Sequence, residues 1–209
     1  MNAKKHVYVV DDDAGMRDSL TMLLIAENFQ VETFDSANAF LKICAAGMSG
    51  CLILDLKMPG MSGLELQEHL TSVGIELPVI FITAHGDVPT AVRAMKSGSF
   101  DFIEKPYSTQ LLLESVYKAI QVDCENRAEK SWRYQAQEKM KLLTEREREI
   151  LILVVQGKPS KLIAELLNLS VSTVDNHRAK IMKKLDAETT ADLTRIALIA
   201  NPNLVNYSI

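Results

Sequence analysis

Only three cysteines occur in the 209 residues, Cys44, Cys51 and Cys124. An odd number without metal-site spacing excludes a disulfide framework and points to reduced thiols. No apolar run approaches the ~18 residues of a membrane span, so no membrane partner is expected. The opening stretch, Met1 to His6, lacks the form of a secretory signal, and a cytoplasmic location is expected. There is no G-x-x-x-x-G-K-[ST] loop and no kinase signature, so nothing here binds ATP. Repeats and low-complexity segments are absent. With 47% hydrophobic and 24% charged residues, the chain is neither disordered nor collagen-like.

Positive charge is not in excess: 23 Lys and Arg against 27 Asp and Glu give −4. The balance is uneven. Residues 1–120 hold 15 acids and 9 bases, whereas 158–184 hold 6 bases and 2 acids. An acidic front and a locally basic back suggest two domains with different partners.

Residues 1–120 alternate strand-like and helix-like segments. Short apolar runs cover Val7 to Val10, Gln30 to Phe34, Cys51 to Leu54, Val79 to Ile82 and Phe100 to Ile103. Helical spacing intervenes over 14–27, over 36–45 with Ser36 as cap, over 63–70 and over 89–96. Five β/α units in series predict an α/β domain with a parallel sheet. Residues 108–142 hold no Gly or Pro, and apolar residues recur at four-residue steps, which predicts one long helix whose second half is an unpacked linker. A disordered linker is the competing reading. Residues 143–200 show only short helical patterns. Thr144 with Glu147 forms a capping box, Ser160 reads as the next cap, and further helices cover 171–184 and 190–200. The expected division is 1–120, a helical linker 121–142, and an all-α domain 143–209.

The polar residues that end the apolar runs carry the first candidate site. Asp11 and Asp12 end strand one, Asp55 strand three, Thr83 strand four and Lys105 follows strand five. In an open α/β sheet, ligands bind beyond the carboxyl ends of the strands, at the switch point. With order 2-1-3-4-5 the three carboxylates converge there. Like charges so placed call for a cation, and an all-oxygen donor set suits Mg²⁺, with Mn²⁺ as the alternative. The constellation suits phosphoryl transfer onto a carboxylate, with Asp55 attacking in line. Turn aspartates beside a surface lysine are the plain alternative.

Val10-Asp11-Asp12-Asp13, Leu54-Asp55-Leu56-Lys57-Met58-Pro59, Thr83-Ala84 and Lys105-Pro106 resemble the receiver domain of two-component response regulators. Thr83-Ala84-His85-Gly86-Asp87-Val88-Pro89 resembles its FixJ-like branch. The resemblance implies a flavodoxin-like five-stranded sheet and Asp55 as phospho-acceptor from a sensor histidine kinase. It implies Mg²⁺ held directly by Asp12, Asp55 and the backbone carbonyl of Lys57, and by Asp11 largely through water. It implies Lys105 on the phosphoryl group, a cis Lys105-Pro106 bond, and Thr83 with Phe102 as a switch pair. Phe102 also reads as a plain core aromatic. His85 reads as a loop residue. Lys57 stands two residues after Asp55, where a phosphatase needs an acid–base carboxylate. No enzyme is therefore expected beyond slow self-dephosphorylation.

In the second half, 160–184 has helix-turn-helix spacing. Its second helix offers Ser172, Thr173, Asn176, His177, Lys180, Lys183 and Lys184 on a polar side, with Val174, Ile181 and Leu185 opposite. Lysines and hydroxyls suit phosphates; Asn and His suit base edges. A solvated basic face is the competing reading. Leu143-Thr144-x-Arg146-Glu147-x-Glu149-Ile150-Leu151, Gly157, Lys161-x-Ile163-Ala164, Leu167-x-x-Ser170, Thr173-Val174-x-x-His177 and Ile181-Met182-x-Lys184-Leu185 resemble the LuxR-type DNA-binding domain of the NarL/LuxR group. This implies that 171–184 is a recognition helix for promoter DNA and that Lys161 contacts DNA. It also implies a homodimer on phosphorylation, and RNA polymerase as a further partner. Leu193, Ile196 and Ala197 become candidates for the dimer contact, although they read equally as intradomain core. Two departures stand out: Ser160 replaces the usual Asn before the lysine, and Asp175 places an acid in the recognition helix. The competing function is a phosphorylation-controlled protein-interaction module whose helical half does not bind DNA.

Overall fold

The structure is a computed structural model. It describes residues 5–45, 47–84 and 88–206, with the backbone alone at 88–91, 205 and 206. His85 lies outside the described residues. The chain divides into two compact units, Met1–Asn126 and Arg127–Ile209.

The first unit contains strands β1 (His6–Val10), β2 (Gln30–Phe34), β3 (Cys51–Asp55), β4 (Val79–Thr83) and β5 (Asp101–Glu104). All pair in parallel, in the order β2-β1-β3-β4-β5. Helices α1 (Ala14–Ala26), α2 (Ala37–Leu41), α3 (Gly63–Ser72) and α4 (Val88–Lys96) connect them. Successive strand residues face opposite sides of a sheet, and the buried residues sort accordingly. Val7, Val9, Ile53, Ile80, Ile82 and Ile103 pack on one side with Leu20 and Leu24 of α1. Val10, Leu52, Leu54 and Phe81 pack on the other with Phe40, Leu66 and Leu70. Hence β3 and β4 are buried along their whole length, whereas the edge strands β2 and β5 expose Glu32, Thr33 and Glu104.

One helix differs from expectation. Ser36 caps α2 as predicted, its hydroxyl accepting from the Ala39 N–H at 3.3 Å. The helix stops at Leu41 and not at 45. Past Phe40 no described residue is fully buried before Gly50; Leu41, Cys44 and Met48 only partly cover the core, from non-helical backbone after Leu41.

Helix α5 (Thr109–Lys141) is one uninterrupted run of 33 residues. Leu112, Val116, Ala119 and Ile120 join the core of the first unit. Residues 124–135 are exposed throughout, as an unpacked linker requires. The expectation fails beyond them: Ala136 is buried and Met140 packs on the core of the second unit. No helix among the described residues is long and apolar enough to cross a membrane.

The second unit adds α6 (Glu145–Val155), α7 (Ser160–Leu167), α8 (Val171–Leu185), α9 (Thr190–Ala200) and a 3-10 turn, Pro202–Asn206. Thr144 and Glu147 form the predicted capping box of α6. Ser160 does not cap α7. The cap is Pro159, which has no side-chain bond, and Ser160 is already the first helical residue, its hydroxyl accepting from Arg178 at 3.2 Å. Ile150, Leu151, Ile163, Val174, Ile181 and Leu185 build the core. Leu193 and Ala197 belong to that same core, at 3% and 0% exposure. The face of α9 that carries them is packed within the domain, which is the intradomain-core alternative. Ile196 is half-buried.

Candidate functional site

Because the sheet is parallel, every strand delivers its last residue to one edge. Asp11 follows β1, Asp55 ends β3, Thr83 ends β4 and Lys105 follows β5. Asp11, Asp55 and Thr83 are buried. The Lys105 ammonium stands between the two carboxylates, Nζ lying 3.2 Å from Asp11 Oδ2 and 3.4 Å from Asp55 Oδ1. Each carboxylate takes one backbone donor with its other oxygen. The Asp13 N–H lies 2.8 Å from Asp11 Oδ1, and the Lys57 N–H lies 2.8 Å from Asp55 Oδ2. The Lys105 N–H also donates to the Thr83 carbonyl at 2.8 Å, which ties the ends of β4 and β5. The Lys105-Pro106 bond is cis.

The expected convergence of three carboxylates is corrected to two. Among the described residues no three His, Cys, Asp or Glu side chains group as a metal cluster. Asp11, directly after β1, is buried, whereas the next residue, Asp12, is exposed.

Burial pushes the Asp55 carboxyl above its ordinary value, and the charge of Asp11 adds to this. The Lys57 N–H and the Lys105 ammonium pull the other way. Burial alone would lower Lys105, but Asp11 and Asp55 outweigh it and hold the ammonium charged. The result is a cluster at the strand edge of two carboxylates, one ammonium fixed between them and a buried hydroxyl. Phe102 is half-buried on β5, its ring centroid 6.4 Å from that of Phe81.

In the second unit, α7 and α8 are joined by Asn168-Leu169-Ser170. Asn168 takes the left-handed conformation, φ 55°, which ends α7 in a single residue. Ser170 caps α8 through the Thr173 N–H and shares a 2.7 Å hydroxyl contact with Thr173. Ser172, Asn176, Lys180 and Lys183 are exposed at steps of four, four and three, which is one face of a helix. Lys161 and Asp175 are also exposed; Thr173 and His177 are half-buried. Lys184 is set apart from this face: its Nζ lies 2.6 Å from Oε2 of Glu147, a buried carboxylate.

Residues 7–117 match the model of the response regulator receiver domain, and residues 141–197 that of the luxR family of bacterial regulatory proteins. This chain belongs to the response regulators. It is 42% identical to the transcriptional regulatory protein TdiR of Thauera aromatica, over 92% of this chain and 85% of that one. It is 41% identical to the transcriptional regulatory protein FixJ of Rhizobium meliloti (strain 1021), over 92% and 94%. Among solved structures, the response regulator StyR matches with TM-score 0.84 and 43% identity, over 93% of this chain and 98% of that one. Full-length FixJ from B. japonicum matches with TM-score 0.60 and 36% identity, over 96% and 99%.

Several supporting residues of the receiver and LuxR-type domains escaped the sequence reading. Asp13 caps α1 through the Gly15 and Met16 N–H groups while its own N–H braces Asp11. Arg17 donates to the Asp11 carbonyl at 2.7 Å. Arg146 donates to the Leu167 carbonyl at 2.7 Å, closing the end of α7. Arg178 reaches Ser160 and the Thr190 hydroxyl, at 3.2 and 3.3 Å. One signal was present in the sequence: residue 178 lies four after Val174 and three before Ile181, a charge inside the apolar stripe, which marks a side chain with polar partners near the core.

Proposed function

We propose that the protein is a phosphorylation-activated transcriptional regulator in which Asp55 accepts a phosphoryl group from a phosphohistidine of a sensor kinase. The observation that carries this reading is the buried Asp11–Lys105–Asp55 cluster at the carboxyl edge of the sheet. An Asp55 oxygen attacks phosphorus, the N–P bond of the donor breaks, and an O–P bond forms. Lys105 is placed to counter charge on the phosphoryl oxygens, and Thr83 to donate to them once the acyl phosphate exists.

The donors present fit Mg²⁺, with Mn²⁺ as a substitute. Two carboxylates that meet at one ammonium offer the oxygen donors that suit an ion usually held by one or two carboxylates and waters. Asp12, Asp55 and the Lys57 carbonyl would hold it directly, Asp12 turning in from solvent, and Asp11 would act largely through water. When bound, the ion supplies positive charge opposite the transferred group. Thr83 and Phe102 form the switch pair: the hydroxyl is drawn to the phosphate and the half-buried ring follows into the space released.

The α7–α8 pair reads DNA. Ser172, Thr173, Asn176, His177, Lys180 and Lys183 meet the groove, and Lys161 meets a phosphate from α7. The receiver spans 1–120, the linker 121–142 and the DNA-binding domain 143–209. Phosphorylation drives homodimerisation, so that two recognition helices bind two half-sites of a promoter in contact with RNA polymerase. The protein is cytoplasmic, and its one chemical reaction besides acceptance is slow loss of its own phosphate.

The test is sedimentation and duplex-DNA binding with and without Mg²⁺ and beryllofluoride, on the parent and on Asp55→Asn. A monomer-to-dimer shift with tighter DNA binding in the parent alone is expected. An equal response in Asp55→Asn refutes Asp55 as the switch.

A further inference from the structure

A helix leaves the carbonyls of its last turn without intrahelical partners, and cations near that end are favourable. In the DNA-binding domain, the final carbonyls of two helices receive donors from a third. Lys139 Nζ lies 3.2 Å from the carbonyl oxygen of Leu185, the last residue of α8, and 3.6 Å from the carboxylate of its cap, Asp186. Gln137 Nε2 lies 3.4 Å from the carbonyl oxygen of Ala200, the last residue of α9. Both donors belong to the last turns of α5. Between them and beside them, Ala136 is buried and Met140 packs on the domain core. Apolar seating and two polar grips thus fix one short segment against the ends of α8 and α9.

We propose that Lys139 is a positioning residue for DNA reading: from helix α5 it holds the C-terminal end of the recognition helix. The DNA-reading unit then begins inside the linker segment, near Ala136, and not at Leu143. The inference rests on the reading of α8 as the recognition helix. Lys139 acts through α8 and not on DNA, which separates it from Lys180 and Lys183.

The test uses the full chain treated with Mg²⁺ and beryllofluoride, and a duplex selected by the parent from a random-sequence library, beside a scrambled duplex. Lys139→Met keeps the apolar stem and removes the donor. Lys141→Met removes the same charge two residues on, where the ammonium pairs with Glu138 of the same helix. Lys139→Arg restores a cationic donor. The expected result is an affinity for the selected duplex about three- to tenfold lower in Lys139→Met. Affinity for the scrambled duplex and the salt dependence should be unchanged, Lys141→Met should match the parent, and Lys139→Arg should be restored. Hydrogen exchange should quicken at the amides of 185–188 in Lys139→Met alone. Equal behaviour of Lys139→Met and Lys141→Met overturns the proposal. So does a loss on both duplexes with a salt slope lower by about 0.9, which marks a phosphate contact. If the parent selects no duplex, the DNA-binding reading itself fails. Exchange at 185–188 then still decides the grip: quickened exchange supports it and unchanged exchange overturns it.

Discussion

Lys184→Met should destabilise the DNA-binding domain without removing a contact to DNA. The sequence places Lys184 on a basic helix face, yet its ammonium is 2.6 Å from Glu147, whose side chain is 4% exposed. Breaking a fully buried pair by deleting one partner costs ~3–5 kcal/mol, and an exposed pair is worth ~0–1 kcal/mol. Two observations set this case between those limits. Lys184 keeps 33% of its side chain in solvent. After the substitution Glu147 still accepts from the Thr144 N–H at 2.8 Å and from its hydroxyl at 3.1 Å. The expected loss is about 2 kcal/mol, or roughly 10 °C in the melting of a unit this size.

Glu147→Gln keeps the oxygen that serves Thr144 and removes only the charge, so its expected cost is smaller, about 1 kcal/mol. Acid sharpens the test. Burial pushes the Glu147 carboxyl up, but Lys184 and the Thr144 donors outweigh burial and hold it below its ordinary value. A depressed acid contributes stability that is present above the unfolded pKa, near ~4.3, and lost as pH falls through the folded value. Lys184→Met should therefore show a shallower loss in that window. Urea melts at several pH values measure both quantities, and DNA titration at several salt concentrations supplies the contrast. Lys180→Met, on the exposed face, should leave stability within ~0.5 kcal/mol and lower the salt slope by about 0.9. Should Lys184→Met instead cost under ~0.5 kcal/mol and lower the slope as Lys180→Met does, the ion pair is incidental and Lys184 is a phosphate contact.

Two further substitutions probe the frame around the sites. Gly63→Ala puts a methyl against the Asp55 carbonyl oxygen, with Phe81 and Leu54 closing the other sides at 3.0 and 3.1 Å. The receiver should lose about 1–3 kcal/mol in chemical melts and bind beryllofluoride more weakly; a melt equal to the parent's contradicts this packing. Ser170→Ala should cost about 1 kcal/mol because Ser170 caps α8. Ser160→Ala should cost less, about 0.5 kcal/mol, since Ser160 bears no cap and gives up one 3.2 Å bond from Arg178, which keeps its Thr190 partner. Thermal melts that reverse this order would restore Ser160 as the cap.

The strand ends were legible for a definite reason. A strand buried on both faces reads as an unbroken apolar run, so the polar residue that stops it is conspicuous. Asp55 after Leu54 and Thr83 after Ile82 were placed by that alone. What the run did not disclose is the side on which each residue after a strand emerges, so Asp12 was gathered into the pocket with Asp11. Capping boxes at Thr144 and the apolar positions 174, 181 and 185 were equally plain. The partners of Lys184 and Arg178 were not, because the bonds run between helices separated by up to 37 residues in the chain. Helical periodicity tells which face a side chain occupies and nothing of the element opposite. The same limit applied to Leu193 and Ala197, whose stripe fits a neighbouring copy or the domain's own core. The end of α2 was illegible because Leu41, Cys44 and Met48 still meet the core without being helical after Leu41, and apolar spacing does not record the backbone that carries it.

The contrast between central and edge strands bears on how the chain survives its own synthesis. Cys51–Asp55 and Val79–Thr83 are short, apolar and proline-free, the kind of segment that zips into intermolecular sheets when exposed. Parallel sheets close late, since their strands are far apart in sequence, so both segments stay uncovered while the domain assembles. The native edges discourage a visiting strand with Glu32 on β2 and with Asp101 and Glu104 on β5. The inner strands have no such edge to guard. Two inner runs are stopped by charge: Asp11-Asp12-Asp13 after β1 and Asp55 closing β3 interrupt them where a growing aggregate would continue, while β4 stops at the uncharged Thr83. The carboxylates at this edge are thus gatekeepers of solubility as well.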